Sequence, residues 1–118
     1  MEKGRKMKEY ERNFLVLEGQ INGKDRYSSV KLSIDFKQAE IGMSLLDNVK
    51  NAQRTYSHIG SNPIQVALEL TIPERKAAID LIKEAKKKVE SKHSNKRQIA
   101  KKIDLLLSVF DRIGTIRM

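Results

Sequence analysis

The chain contains no cysteine and no tryptophan. The first absence excludes a disulfide framework and any thiolate metal site, and it fits a reducing compartment. The second, with only three Phe and three Tyr, leaves a core that must be built from aliphatic side chains. The six glycines are dispersed, so no glycine-rich phosphate loop exists. The two histidines, His58 and His93, stand far apart and lack metal-ligand spacing. Tyr10, Tyr27 and Tyr56 are nucleophiles in principle, but nothing near them marks catalysis. No apolar run approaches the roughly 20 residues that span a bilayer. The opening MEKGRKMKEYERNF lacks the apolar stretch of a signal peptide. These absences lead to the expectation of a cytoplasmic protein with no membrane partner, no metal, no cofactor and no enzymatic activity.

What is present is 118 residues, enough for one domain that buries roughly two thirds of its unfolded surface. Residues 1–12 show no apolar period and read as a flexible basic arm. Residues 13–118 read as a single α+β domain. Asn13 to Phe36 predicts a β-hairpin: FLVLEGQI, a turn at NGKD, then RYSSVKLSIDF. In the second strand Val30, Leu32 and Ile34 alternate with Ser29, Lys31 and Ser33, as in a sheet with one wet face. Residues 37–57 predict a helix, with Ile41, Leu45, Leu46 and Val49 on one side and Gly60 as its C-terminal cap.

Residues 64–72 admit two readings. Val66, Leu68, Leu70 and Ile72 alternate, which favours a third strand. Ser61-Asn62-Pro63 is a good helix start, and Ile64, Ala67 and Leu68 share a helical face. An offset of 36 that aligns VKLSIDF with VALELTI supports the strand. Beyond Pro73, two apolar seams predict an antiparallel helical hairpin over 73–113. They are Ala78, Ile82, Ala85 and Val89, then Ile99, Ile103, Leu106, Phe110 and Ile113, with Ser94 and Asn95 as candidate caps between them. Leu81, Leu105 and Leu107 lie beside these seams and need the sheet or a second subunit to cover them. The expected fold is therefore a β-hairpin, a helix, a third strand and a C-terminal antiparallel helical hairpin, assembled as a homodimer.

Charge is the sharper signal. The net charge is +9, and residues 83–102 carry +7 of it. The cations are Lys83, Lys86, Lys87, Lys88, Lys92, Lys96, Arg97, Lys101 and Lys102, against Glu84 and Glu90. Closely spaced cations of this kind neutralise phosphates and release counterions. Scattered aromatics offer no stacking platform for single strands, which favours duplex DNA.

The stretch VALELTIPERKAAIDLIKEAKKK with its following helix resembles the ribbon-helix-helix family of dimeric, MetJ-like DNA-binding proteins over about residues 64–113. The resemblance implies a homodimer whose paired strands enter the major groove and a role in transcription regulation. Carried over, the readers are Gln65, Ala67, Glu69 and Thr71. In a second register they are Ser29, Lys31 and Ser33, with 37–57 and 62–71 as the helices. The expected function is that of a DNA-binding regulator or an accessory factor of a DNA-processing complex. The alternative is a protein-binding module that docks its Lys-rich hairpin on an acidic or nucleic-acid-binding surface of another protein.

Overall fold

The computed structural model describes residues 13–21, 29–47 and 52–114. It is an α+β fold. Four strands, β1 (Phe14–Gln20), β2 (Ser29–Asp35), β3 (Glu40–Asp47) and β4 (Ala52–Tyr56), form an antiparallel sheet in the order of the chain. Three helices follow: α1 (Pro63–Glu69), α2 (Ile72–Lys88) and α3 (Lys96–Gly114). The basic arm and the NGKD turn lie outside the described residues.

Period-two alternation builds the sheet. Leu15, Leu17, Val30, Leu32, Ile34, Ile41, Met43 and Leu45 point to one face, in register across β1, β2 and β3. Those on β2 and β3 are fully buried. Each such side chain contributes about 1.5–3 kcal/mol relative to exposure. The helices supply the other half of the core. α2 lies over β1 and β2, while α3 packs on β3 and is flanked by α2 and α1. Both expected seams are buried, except for the half-buried Val89. The Leu81 side chain rests on β1 at Gly19, where an added Cβ would come within 3.2 Å of it. The sheet thus covers Leu81, Leu107 is partly buried against the core, and Leu105 alone of the three stays exposed.

Two elements correct the sequence reading. The helix expected over 37–57 is absent from the described residues there, 37–47 and 52–57, which hold the β2–β3 turn and strands β3 and β4. The deciding residue is Met43, which is buried between Ile41 and Leu45 and completes a strand alternation. Asp35 fixes the turn by accepting hydrogen bonds from the N–H groups of Lys37 and Gln38, and Ala39 closes it at φ 57. Gly60 caps no helix; it lies under the stem of Lys102, where a Cβ would sit 3.0 Å from that side chain.

Nor is there a third strand at 64–72. Pro63–Glu69 is helical, buries Val66 and Ala67, and leaves Ile64 and Leu68 exposed. The offset-36 repeat accordingly pairs a strand with a helix. The stretch from 64 to 113 is helix–helix–helix, so Gln65, Ala67 and Glu69 lie on α1 and not on a strand. Thr71 is the N-cap of α2: its hydroxyl accepts from the N–H of Glu74, and the Glu74 carboxylate accepts from the N–H of Thr71. This capping box fixes the start of α2 and separates it from α1.

Candidate nucleic-acid interface

The basic hairpin does not project as a free stalk. Its turn is docked on the β2–β3 turn. His93 stacks on Phe36, with ring centroids 4.0 Å apart and planes 7° apart. Asn95, at φ 58, donates from its side-chain amide to the carbonyls of both Phe36 and Lys37 at 2.9 Å. The expected cap residue therefore uses its side chain to pin the hairpin to the sheet, while its own carbonyl accepts from Ile99. Ser94 is exposed in the same turn. The docking also brings the exposed Lys37 to this end of the molecule, a residue that lies far from the basic window in sequence.

The nine expected cations have different fates. Lys102 is half-buried and holds the fold together: its ammonium donates to the Ala39 carbonyl at 2.5 Å and pairs with Glu40 at 3.1 Å. The same Glu40 carboxylate also meets His58. Lys86 reaches across to Asp104 on α3 at 2.8 Å. Lys88 and Lys92 have loose surface partners in Glu84 and Glu90, at 3.9 and 3.2 Å. Such exposed pairs contribute less than about 1 kcal/mol. Lys83, Lys87, Lys96, Arg97 and Lys101 are exposed and have no acidic partner among the described residues.

Helix polarity separates these cations further. Lys86, Lys87 and Lys88 occupy the last turn of α2, where the helix dipole favours positive charge. Lys96 and Arg97 open α3, whose first turn contains no acid. There the dipole is positive, and each cation is held at a loss of about 0.3–1 kcal/mol. Nothing in the fold accounts for their placement.

The strand residues sit elsewhere. Lys31 and Ser33 lie on the sheet face opposite the helices, and Ser29, though buried, is in the same register. Ser29 and Lys31 line a depression with Glu18, Ser44, Leu46 and Gln53, about 150 Å³ in volume. That is well below the roughly 300–1,000 Å³ of small-molecule sites. Among the described strand residues, the charges on this face are one cation, Lys31, against Glu18, Asp35 and Glu40. Moreover, β2 is bonded on both sides by β1 and β3, so it has no free edge to offer a partner strand. The structure thus does not bring Ser29, Lys31 and Ser33 together with the hairpin cations.

A second charged cluster lies at the opposite end of α2. Arg54 on β4 pairs with the buried Glu74 at 2.7 Å. The buried Arg75 donates to the carbonyls of Ala67 and Leu70, which end α1. Tyr56 lies beneath the Arg54 guanidinium at 5.4 Å. Burial pushes its phenol up to about 12, against the pull of Arg54 and with a smaller push from Glu69. Its oxygen makes no hydrogen bond of good geometry among the described residues, although Glu69 is close enough to act electrostatically. Each carboxylate and guanidinium here closes a helix end or joins α2 to the sheet, which is structural work. The TxxE signature of the capping box was readable in the sequence; the burial of Arg54, Glu74 and Arg75 carries no local signal.

Among the described residues, no group of three or more His, Asp or Glu side chains could hold a metal ion, and no helix is long and apolar enough to cross a membrane. No known protein family, curated protein or solved structure matches the chain.

Proposed function

We propose that the protein binds double-stranded DNA by its phosphate backbone, through the exposed helical face and docked turn that carry Lys83, Lys87, Lys96, Arg97 and Lys101, with Lys37 at the rim. The working role is that of a small regulator or an accessory factor in DNA processing, and the working form is a homodimer. One observation supports the reading: Lys96 and Arg97 have no ion-pair partner among the described residues and stand at the start of a helix whose dipole opposes them, so an anion supplied from outside relieves that cost. Duplex is favoured over single strands because no Phe, Tyr or Trp is exposed on this face among the described residues. Phe36 and Phe110 are buried, and Phe14 is exposed on the other side of the sheet. Contacts of this kind position a protein without specifying bases.

The test is fluorescence anisotropy with random duplex DNA across a salt series. The variant combines Lys87→Gln, Lys96→Gln, Arg97→Gln and Lys101→Gln. It should bind more weakly, with a slope of log K against log salt that falls by roughly 0.9 per lost contact, about 3 to 4 in all. The loss should be similar across DNA sequences. Unchanged affinity and slope overturn the reading and leave docking on an acidic protein surface as the use of this face.

A further inference from the structure

Among the described residues no strand pairs with the outer edge of β1; that edge is complementary to itself, and we propose that a second copy of the chain pairs with it antiparallel, joining two sheets into one of eight strands. The proposal is independent of the nucleic-acid reading.

Backbone accounting comes first. The Asn13 carbonyl accepts from the N–H of Phe36 at 2.7 Å. Antiparallel ladders alternate, so Leu15, Leu17 and Gly19 also direct their N–H and C=O groups to β2. Phe14, Val16, Glu18 and Gln20 direct theirs out of the sheet. These same four residues present their side chains on the open face, where Phe14 is 45% and Val16 55% exposed. Unpaired backbone and uncovered apolar surface thus coincide on one short strand.

Edge strands are ordinarily guarded by lysine, proline, a bulge or brevity. Within its described residues β1 has none of these: it runs seven residues, FLVLEGQ, in unbroken register with β2. Its one charge, Glu18, stands directly opposite Lys31. The other edge, β4, is only five residues long and carries Arg54.

The occupant follows from symmetry. A two-fold axis perpendicular to the sheet maps the row of donors and acceptors on Phe14, Val16, Glu18 and Gln20 onto its own complement. Centring the pair on Leu17 uses all seven residues of both strands, sets Val16 beside the second copy's Glu18, and keeps the two Glu18 carboxylates apart. The helical layer agrees. Glu84 and Lys88 continue the side of α2 that Leu81 turns toward β1, three and seven residues further on. They offer one charge of each sign at 3.9 Å, so a two-fold mate can set its Lys88 against Glu84. A competing apolar patch exists on α1, at Ile64, Leu68 and the adjoining Ile72, but it offers no backbone complement.

Three measurements on the full chain decide the matter. Light scattering at tens of micromolar should give twice the 13.5 kDa chain mass. Amide hydrogen exchange at high and low concentration should show Phe14, Val16, Glu18 and Gln20 slowed about tenfold or more at high concentration. Their neighbours Leu15 and Leu17 should be equally protected at both. Val16→Pro removes an N–H that points away from β2, so it should keep the circular dichroism of the fold and give a single-chain mass. Leu68→Asp should remain a dimer. A single-chain mass at all concentrations overturns the proposal, as does a dimer whose 14–20 exchange ignores concentration or which Leu68→Asp dissolves. The exchange experiment uses the unaltered chain, so it decides even if Val16→Pro does not fold.

Discussion

The two ends of the helical hairpin use the same residue types in opposite ways. Where α1 meets α2, Arg54, Glu74 and Arg75 are buried or half-buried, and each finds a carboxylate, a guanidinium or a carbonyl. Where α2 meets α3, Lys83, Lys87, Lys96, Arg97 and Lys101 are exposed and form no ion pair among the described residues. Removing water from a charge demands a partner inside the protein, whereas leaving it in water does not. The difference teaches that the first end is needed to fold and that the second is available for a ligand.

Four experiments break or sharpen that contrast. The largest effect should come from Arg54→Ala, which leaves the Glu74 carboxylate buried without its cation. Breaking such a pair costs about 3 kcal/mol, the low end of the range because Arg54 is itself one-third exposed. The urea midpoint should fall accordingly with an unchanged slope. A loss no larger than that of a surface substitution would mean the first end is as dispensable as the second. Next is Asn95→Ala, which loses both bonds to the β2–β3 turn and strains a residue at φ 58, for about 1–2 kcal/mol. Asn95→Gly tolerates that φ and should lose less, which separates the bonds from the strain.

The fourfold Gln variant of the basic face should be smaller still. Each change should stay within about 1 kcal/mol in thermal unfolding, with Lys96→Gln and Arg97→Gln toward higher stability. A collapse of stability there would make those cations structural. The last effect is invisible at neutral pH. Tyr56 has its folded value raised to about 12 from an ordinary value near 10. The folded state favours the neutral phenol, so its contribution is complete below pH 10 and is lost as pH rises toward 12. Phenolate absorbance should show a tyrosine ionising later than in the unfolded chain, and Tyr56→Phe should remove that late step.

The helical hairpin was legible because its seams repeat at spacings of three and four, which no strand can bury on one side. β2 was legible for the complementary reason. β3 was not: Ile41, Leu45 and Val49 recur every four residues, a spacing that suits a strand's period of two as well as a helical turn. The turn before it, FKQA, carries none of the usual Gly, Pro or Asn. The alternation from Val66 to Ile72 misled because it crosses two helices. Val66 and Leu70 point into the core, whereas Leu68 and Ile72 are 50% and 72% exposed. The basic window itself was plain in the sequence. Which of its members were already engaged was not, because the acids that hold Lys102 and Lys86, namely Glu40 and Asp104, reach them only through tertiary packing.

If duplex DNA is the ligand, Lys96 and Arg97 also link its binding thermodynamically to the fold. On the proposed reading, a duplex that binds the native chain and not the unfolded one raises the melting temperature, and saturation at about 100 times Kd corresponds to about 2.7 kcal/mol. Simple salt acts on the same turn with two opposite signs. It screens the cations from the helix dipole and steadies the free protein, while it weakens the hold on the polyanion. Melting curves with and without duplex should therefore converge as ionic strength rises, the free protein moving up and the complex moving down.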